Sequence, residues 1–172
     1  MEEEKESEPD FMKNPTTVER ESERALVVTR TFNGPAHIVF EAWTKPELLK
    51  RWWAPKSIGI SFVSCEADVR TGGTYRFVFS HPDLDQPMAF FGRYIEATPH
   101  SRIVWTNEES ADGPVTTVTF EEKDGKTLLV LRELYPSKQA LDDAIANEST
   151  ATSAAGEQFD QLDELLVTLE RP

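Results

Sequence analysis

The C-terminal segment constrains the fold most, because it carries the one long amphipathic pattern in the sequence. From Thr150 to Glu170, apolar residues recur at helical spacing on one stripe and acidic residues occupy the other. Such a helix needs another element on which its apolar stripe can pack. The predicted stripe consists of Ala151, Ala155, Phe159, Leu162, Leu165, Leu166 and Leu169. A shorter helix, from Ser137 to Asn147, is predicted just before it.

The chain before these helices predicts a sheet. Between Ser57 and Leu134, strand-like segments alternate with turn residues, and no helix-length periodic segment interrupts them. A first strand precedes this region and is followed by two short helices, within 35–44 and 47–53. Connections this short require antiparallel pairing. The seven strands are predicted at 25–32, 58–69, 74–80, 88–97, 102–107, 115–122 and 127–134.

An α+β fold accommodates both patterns. A seven-stranded curved antiparallel sheet that bends around the long C-terminal helix gives two layers and a single core. Residues 25–170 are predicted to form this domain. Residues 1–24 hold nine acidic against four basic residues and few apolar ones, so they are predicted to form an acidic, flexible N-terminal arm.

Net charge restricts the classes of partner. At −13, the chain is unsuited to nucleic acid or to anionic membrane surfaces, both of which recruit Lys and Arg. No apolar run approaches the roughly 20 residues of a membrane span, so no membrane insertion is expected. The single cysteine, Cys65, is expected to act as a small buried hydrophobe. With an acidic N-terminus unlike a secretory signal, these features favour the cytoplasm.

Large rings on the strands raise the question of an internal cavity. Tyr75, Phe77 and Phe79 alternate, so they should share the concave face of the sheet. A strongly curved sheet can leave an apolar space beneath the helix, or these rings can fill the core completely. The adjacent Trp52 and Trp53 form either a plug against the sheet or a gate over a pocket. The candidate ligand-binding residues are Trp52, Trp53, Tyr75, Phe77, Phe79, Phe91, Tyr94, Trp105, Phe120, Phe159 and Leu162.

Signatures of common catalytic sites are missing from the sequence. His37, His81 and His100 are scattered and lack metal-ligand spacing, so no metal is expected. No phosphate-binding loop or nucleophile elbow is present, and no cofactor is predicted. Several strand charges could enter a pocket as an acid–base pair or could form a solvated face instead. They are Asp68, Arg70, Arg76, Arg93, Arg132 and Glu133.

Several motifs together resemble a known superfamily, the START-like or SRPBCC proteins of the birch-pollen-allergen and polyketide-cyclase type. Within it, the chain looks like the branch named for the C-terminal domain of the activator of the heat-shock-protein-90 ATPase. The resemblance covers about Ala25 to Leu169. It rests on the segments VTRTFNGP at 28–35, VFEAWT at 39–44, PEL at 46–48 through Trp52 and Trp53, DVRTGGTY at 68–75, GRY at 92–94 and FDQLDELL at 159–166.

The resemblance implies a helix-grip fold with a cavity between sheet and helix. Superfamily members carry hydrophobic molecules, and some cyclise polyketides. The first expectation is therefore binding of a small hydrophobic or amphipathic ligand. Two alternatives stay open: a cyclase- or hydrolase-type enzyme using the same cavity, and an interaction module that contacts a chaperone or self-associates. The acidic arm stands where the co-chaperone has a companion domain, which weighs against chaperone activation.

Overall fold

The computed structural model describes residues 14–147, 150 and 154–169. They form one antiparallel sheet and four helices, with a short 3-10 turn at Lys56–Ile58. The strands are β1 Thr17–Arg20, β2 Ala25–Phe32, β3 Ser61–Ala67, β4 Thr74–Ser80, β5 Met88–Thr98, β6 Arg102–Thr106, β7 Val115–Lys123 and β8 Lys126–Leu134. The helices are α1 Ala36–Thr44, α2 Pro46–Trp52, α3 Lys138–Ala146 and α4 Ala155–Leu169.

The sheet has the order β1-β2-β8-β7-β6-β5-β4-β3. Strands β3 to β8 follow one another as neighbours, as short connections require. The connection from β2 to β3 is the exception: it carries α1 and α2 from one side of the sheet to the opposite edge. The α+β class and the two helices after the first long strand agree with the sequence prediction.

The number of strands was predicted wrongly, since the sheet has eight strands instead of seven. The additional strand, β1, lies inside the predicted arm and pairs with β2 from Thr17 opposite Thr29 to Arg20 opposite Leu26. All four β1 side chains are exposed, so the strand has no apolar alternation by which sequence could reveal it. Residues 1–13 of the predicted arm lie outside the described part of the chain.

Helix α4 begins at Ala155, five residues after the predicted start at Thr150. Ala151 of the predicted stripe and Glu170, the predicted last residue, lie outside the described residues. Within the helix, the buried apolar residues belong to the predicted stripe: Ala155, Phe159, Leu162, Leu165 and Leu166. The stripe packs on β2 and α1, where the Phe159 ring lies 5.4 Å from Phe32 and 6.3 Å from Trp43. The amphipathic pattern therefore identified the packing face correctly.

A buried arginine ties α4 to the sheet. Arg30, on the inner face of β2 and 2 % exposed, donates from Nη1 to Asp160 at 2.9 Å and from Nη2 to Asp163. Its Nη1 also donates to the hydroxyl of Thr16, just before β1. A buried guanidinium needs such partners, because taking it out of water is costly. One side chain thereby joins the helix, the second strand and the N-terminal segment.

Candidate ligand cavity

A cavity of about 530 Å³ lies between the concave face of the sheet and the N-terminal part of α4. The sequence left open whether the rings fill the core or leave a space beneath the helix, and the structure has the space. Sheet residues from β2 and from β4 to β8 form one wall, and Ala154, Ala155, Gln158 and Phe159 form part of the other. This volume falls within the range of ordinary small-molecule sites, about 300 to 1,000 Å³.

Aromatic rings dominate the apolar wall. Tyr75, Phe77 and Phe79 share the concave face as their alternation predicted, and all three line the cavity. The Trp53 ring lies 5.5 Å from Phe77, and Trp43 packs 6.0 Å from Trp105. Seven of the candidate residues line the space: Trp53, Tyr75, Phe77, Phe79, Tyr94, Trp105 and Phe159.

The other four candidates lie elsewhere. Trp52 is fully buried beside the cavity, where its indole N–H donates to the carbonyl of Ala42 at 2.9 Å. Phe120 and Leu162 are buried in the same core cluster without lining the space. Phe91 points to the opposite face of β5 and lies under the guanidinium of Arg76, 5.8 Å from the ring centre. Of the two adjacent tryptophans, only Trp53 reaches the cavity.

Many lining residues were not named from the sequence. Phe90 could have been found from the sequence, because its side chain lies on the same face of β5 as that of the candidate Tyr94, whereas Phe91 lies on the opposite face. Others carry no local signal, because distant segments meet only in the fold. Besides Phe90, the lining residues that the sequence analysis did not single out for the cavity are Val28, Trp43, Leu49, Pro55, Ile58, Ile60, Met88, Ile103, Asn107, Glu109, Pro114, Thr116, Leu131, Tyr135, Thr150, Ala154, Ala155 and Gln158.

The cavity reaches the surface beside β5. Ile58, Met88 and Phe90 line it and are nevertheless 48 %, 43 % and 37 % exposed. Glu109 lies at the same place, because its Oε2 accepts a 2.7 Å hydrogen bond from the backbone N–H of Phe91. An apolar mouth with one carboxylate at its rim therefore leads to the interior.

A polar group of residues stands on the inner wall. Across β6, β7 and β8, Trp105 pairs with Thr116 and Thr116 pairs with Glu133, so these three side chains share one face. The amide nitrogen of Asn107 donates to the Thr116 hydroxyl at 2.9 Å. Glu133 is only 7 % exposed, and the Tyr135 hydroxyl donates to its Oε1 at 3.1 Å. We call Asn107, Thr116, Glu133 and Tyr135 the polar wall.

The exclusion of water from the cavity changes the pKa values of the ionisable groups around it. Burial raises the pKa of Tyr75, Tyr94 and Tyr135, because a phenolate would lose its hydration there. Burial of its carboxyl end also raises the pKa of Glu109, although the residue as a whole is exposed and the Phe91 N–H acts in the opposite direction. The cavity thus favours uncharged forms of its own acids.

Comparison with known proteins identifies the family. The family described as Activator of Hsp90 ATPase homolog 1-like protein matches residues 33–167. The chain belongs to this family. Membership confirms the branch that the sequence motifs indicated. No curated protein matches the sequence significantly.

Solved structures share the fold of this Activator of Hsp90 ATPase homolog 1-like chain. A protein from Rhodobacter sphaeroides has a TM-score of 0.79 at 24 % identity, over 91 % of this chain and 100 % of that one. One from Nitrosomonas europaea has 0.75 at 22 %, over 86 % and 97 %. An AHSA1-like protein from Aeromonas hydrophila has 0.62 at 16 %, over 85 % and 96 %. At such identities the likeness concerns the fold alone.

Five of the six candidate charges in this AHSA1-like chain point to solvent: Asp68, Arg70, Arg76, Arg93 and Arg132 are all exposed. Only Glu133 reaches the cavity, so the solvated face, one of the two possibilities that the sequence left open, describes the other five residues. Cys65 is half-buried on β3, and desolvation raises the pKa of its thiol to about 11. A protonated thiol is a poor nucleophile, which agrees with a structural role for Cys65.

The described residues contain neither a cluster of metal ligands nor a helix that could span a membrane. In 14–147, 150 and 154–169, no group of three or more His, Cys, Asp or Glu side chains is placed to hold a metal ion. The rings of His37 and His100 do meet, with centres 6.2 Å apart, although the sequence separates them widely. None of the helices in this part of the chain is long and apolar enough to cross a bilayer.

Proposed function

We propose that this protein binds a small, mainly apolar molecule in the cavity beneath α4. The observation that carries the proposal is a space of about 530 Å³ walled by aromatic rings and furnished with a few polar side chains. Pockets for small molecules commonly combine these two features, since rings supply contact area and isolated polar groups fix orientation. Family membership supports the same reading at the level of the fold.

The exposed lining residues give the ligand a route. Burial of Ile58, Met88 and Phe90 by a bound molecule would remove apolar surface from water, at about 25 cal/mol for each Å². Because the walls belong to a hydrogen-bonded sheet and a packed helix, we expect the site to exist before the ligand arrives. We also propose that residues 25–170 form the ligand-binding domain and that it acts in the cytoplasm, because a chain with one cysteine cannot form an internal disulfide.

Native mass spectrometry of gently purified protein tests the proposal, together with thermal unfolding against a library of lipids and aromatic compounds. A ligand present at one hundred times its dissociation constant should stabilise the protein by about 2.7 kcal/mol. We expect a co-purified or added molecule to bind at a one-to-one ratio. A pure apo mass with no thermal shift across the library would contradict the proposal.

A pair of tryptophan substitutions locates the site. Ala154→Trp puts a bulky ring at a lining position and should weaken binding about tenfold or more by occupying the space. Ala146→Trp makes the same change at an exposed residue of α3 that does not line the cavity, and should leave affinity unchanged. Equal losses in both variants would mean that binding occurs elsewhere.

The family description offers a second candidate, stimulation of a chaperone ATPase. Adding the purified full chain to the chaperone and measuring ATP hydrolysis distinguishes the two readings. An increase in turnover that survives in Ala154→Trp would favour the chaperone reading over the cavity. No change in turnover would remove it.

A further inference from the structure

One of the rings that line the cavity carries a hydrogen-bond donor without an acceptor. The indole Nε1 of Trp43 and the Nε of Arg30 are the two buried side-chain polar atoms that have no hydrogen-bond partner among the described residues. Trp43 lines the cavity, whereas Arg30 does not. We infer that the ligand carries an uncharged oxygen acceptor, such as a carbonyl group, and that the indole N–H of Trp43 donates a hydrogen bond to it. The inference rests on the proposed function and specifies the polar group of its ligand.

The surroundings of Trp43 show why the described part of the chain supplies no acceptor for this N–H. Trp43 is 3 % exposed, and its ring lies among other aromatic rings, whose faces are weak acceptors. Those rings, with centres 4.8 to 6.3 Å away, are Trp52, Trp53, Trp105, Phe120 and Phe159. The neighbouring Trp52 does not line the cavity, and its N–H donates to the Ala42 carbonyl. Buried indole N–H groups usually have such a partner, so its absence at Trp43 points to a partner that enters the cavity.

A second spare donor lies close to Trp43. Thr116 lines the cavity at 2 % exposed, and its Oγ1 accepts from the Asn107 amide at 2.9 Å. Its own hydroxyl hydrogen has no acceptor within 14–147, 150 and 154–169, and a hydroxyl can rotate toward a new one. Trp105 connects the two donors, because it pairs with Thr116 across β6 and β7 and its ring lies 6.0 Å from that of Trp43. This part of the wall can therefore donate more hydrogen bonds than the protein uses.

Other donors on the lining already have acceptors inside the protein. Both N–H groups of the Asn107 amide are engaged, the Tyr75 hydroxyl donates to the Thr106 carbonyl, and the Tyr135 hydroxyl donates to Glu133. These groups are satisfied before a ligand binds. An indole N–H can donate but cannot accept, so a ligand satisfies Trp43 only by offering an acceptor.

The charge of the lining selects among possible acceptors. None of the lining residues that the structure describes is Lys, Arg or His, so a carboxylate or phosphate would enter without a counter-charge from a side chain. The N-terminal end of α4 lines the space at Ala155, and a helix N-terminus carries about half a positive charge. Glu157 in the first turn of α4 opposes that partial charge. Burial also raises the pKa of Glu109 at the mouth, which shows that negative charge is disfavoured there. An uncharged oxygen therefore fits better than an anion.

Three probes that share one ring system test the inference on the native chain at pH 7. They are 2-acetylnaphthalene, a ketone, 2-isopropenylnaphthalene, in which a methylene group replaces the oxygen, and 2-naphthoate, an anion. The four indole N–H groups give separate signals in a nitrogen–proton correlation spectrum. We expect the ketone, unlike the hydrocarbon, to move the Trp43 signal downfield, as a new hydrogen bond does, and the Trp52 signal to stay in place.

The outcomes separate the inference from the proposed function. If the ketone binds but leaves the Trp43 signal where the hydrocarbon leaves it, the inference is wrong while cavity binding stands. Binding of 2-naphthoate as tight as that of the ketone would likewise overturn the inference alone. If none of the three probes binds, both the inference and the proposed function fail.

Matched substitutions isolate the contribution of the N–H group. Trp43→Phe removes it together with part of the ring, and both uncharged probes meet the same change in volume. The ratio of the hydrocarbon's dissociation constant to the ketone's should therefore fall about threefold to tenfold, the range of one hydrogen bond. Trp52→Phe makes the same change at an indole that does not line the cavity and should leave the ratio unchanged. An unchanged ratio in Trp43→Phe would overturn the inference. Should Trp43→Phe not fold, the spectrum of the native chain decides alone.

Discussion

At the scale of single residues, Gln161 shows how one polar side chain can secure a cavity wall. It lies on the buried side of α4, 7 % exposed, where its Nε2 donates to the carbonyls of Trp52 and Ala54 at 2.9 Å each. Its Oε1 accepts from the backbone N–H of Lys56 at 2.9 Å. Three backbone groups, on the last residue of α2 and in the segment after it, thus bond to one amide, which holds the segment containing Trp53 against α4.

Gln161→Leu should therefore destabilise the fold, although it makes α4 more apolar. The change leaves up to three backbone groups without partners, and we expect a loss of about 2 to 4 kcal/mol in the free energy of unfolding, measured with urea. Gln139→Leu on α3 is the control, because that amide bonds only to the exposed Asp143 and should cost under about 0.5 kcal/mol. Similar losses in the two variants would disprove the role of Gln161.

The residue scale is also where sequence prediction of the site was least complete. Alternation placed Tyr75, Phe77 and Phe79 on the concave face, because period two fixes the face within a strand. The same rule argues against choosing both Phe91 and Tyr94, whose parity differs. Glu133 reads as an ordinary strand charge, since only the pairing of β7 with β8 sets it beside Thr116.

At the scale of elements, the junction between β2 and α4 depends on Arg30. Asp160 and Asp163 are one helical turn apart, so both reach the same guanidinium. Removing one partner of a buried ion pair costs more than the pair itself contributes, because the remaining charge stays poorly solvated. The side chain of Asp163 is 14 % exposed and that of Asp160 is 42 % exposed, so water can solvate the charge of Asp160 in part when Arg30 is removed.

Arg30→Ala should lower the free energy of unfolding by about 3 kcal/mol and should speed amide hydrogen exchange in α4. Arg132→Ala is the matched control, since Arg132 pairs with Glu21 on the surface with both side chains nearly half exposed. We expect it to cost under about 1 kcal/mol. Unchanged exchange in α4 after Arg30→Ala would show that apolar packing alone holds the helix.

Among the elements, those with a strong apolar pattern were predictable and β1 was not. The face of α4 followed from its stripe, and α3 begins at Lys138 with the Ser137 hydroxyl accepting from Ala140 N–H, a recognisable cap. Strand β1 is held by backbone pairing with β2 and by links such as Arg20 to Asp142. Such long-range links leave no periodic trace in the sequence.

At the scale of the whole molecule, the fold raises the pKa of all three tyrosines. Tyr75, Tyr94 and Tyr135 are the only tyrosines in the chain, and burial raises the pKa of each above its ordinary value of 10. In the unfolded chain the tyrosine hydroxyls ionise near pH 10, whereas in the folded protein they stay protonated at that pH. Their contribution to stability is therefore complete below pH 10 and is lost as the pH rises further.

An alkaline titration should consequently show phenolate absorbance at 295 nm appearing together with the loss of native circular dichroism. Tyr135→Phe should remove about one third of the absorbance change, because it removes one of the three phenols. A phenolate signal with a midpoint near pH 10 while the circular dichroism remains native would show that the rings are open to water.

The placement of the tryptophans has a practical consequence for this molecule. Trp43, Trp53 and Trp105 line the cavity, and the fourth indole, Trp52, makes an edge contact with Trp43, with ring centres 4.8 Å apart. Every tryptophan, the dominant source of intrinsic fluorescence, thus lies at the cavity or one ring away from it. A molecule that enters the cavity changes the polarity and packing around these indole rings, so the emission wavelength and intensity of the unlabelled protein should change when the cavity is occupied.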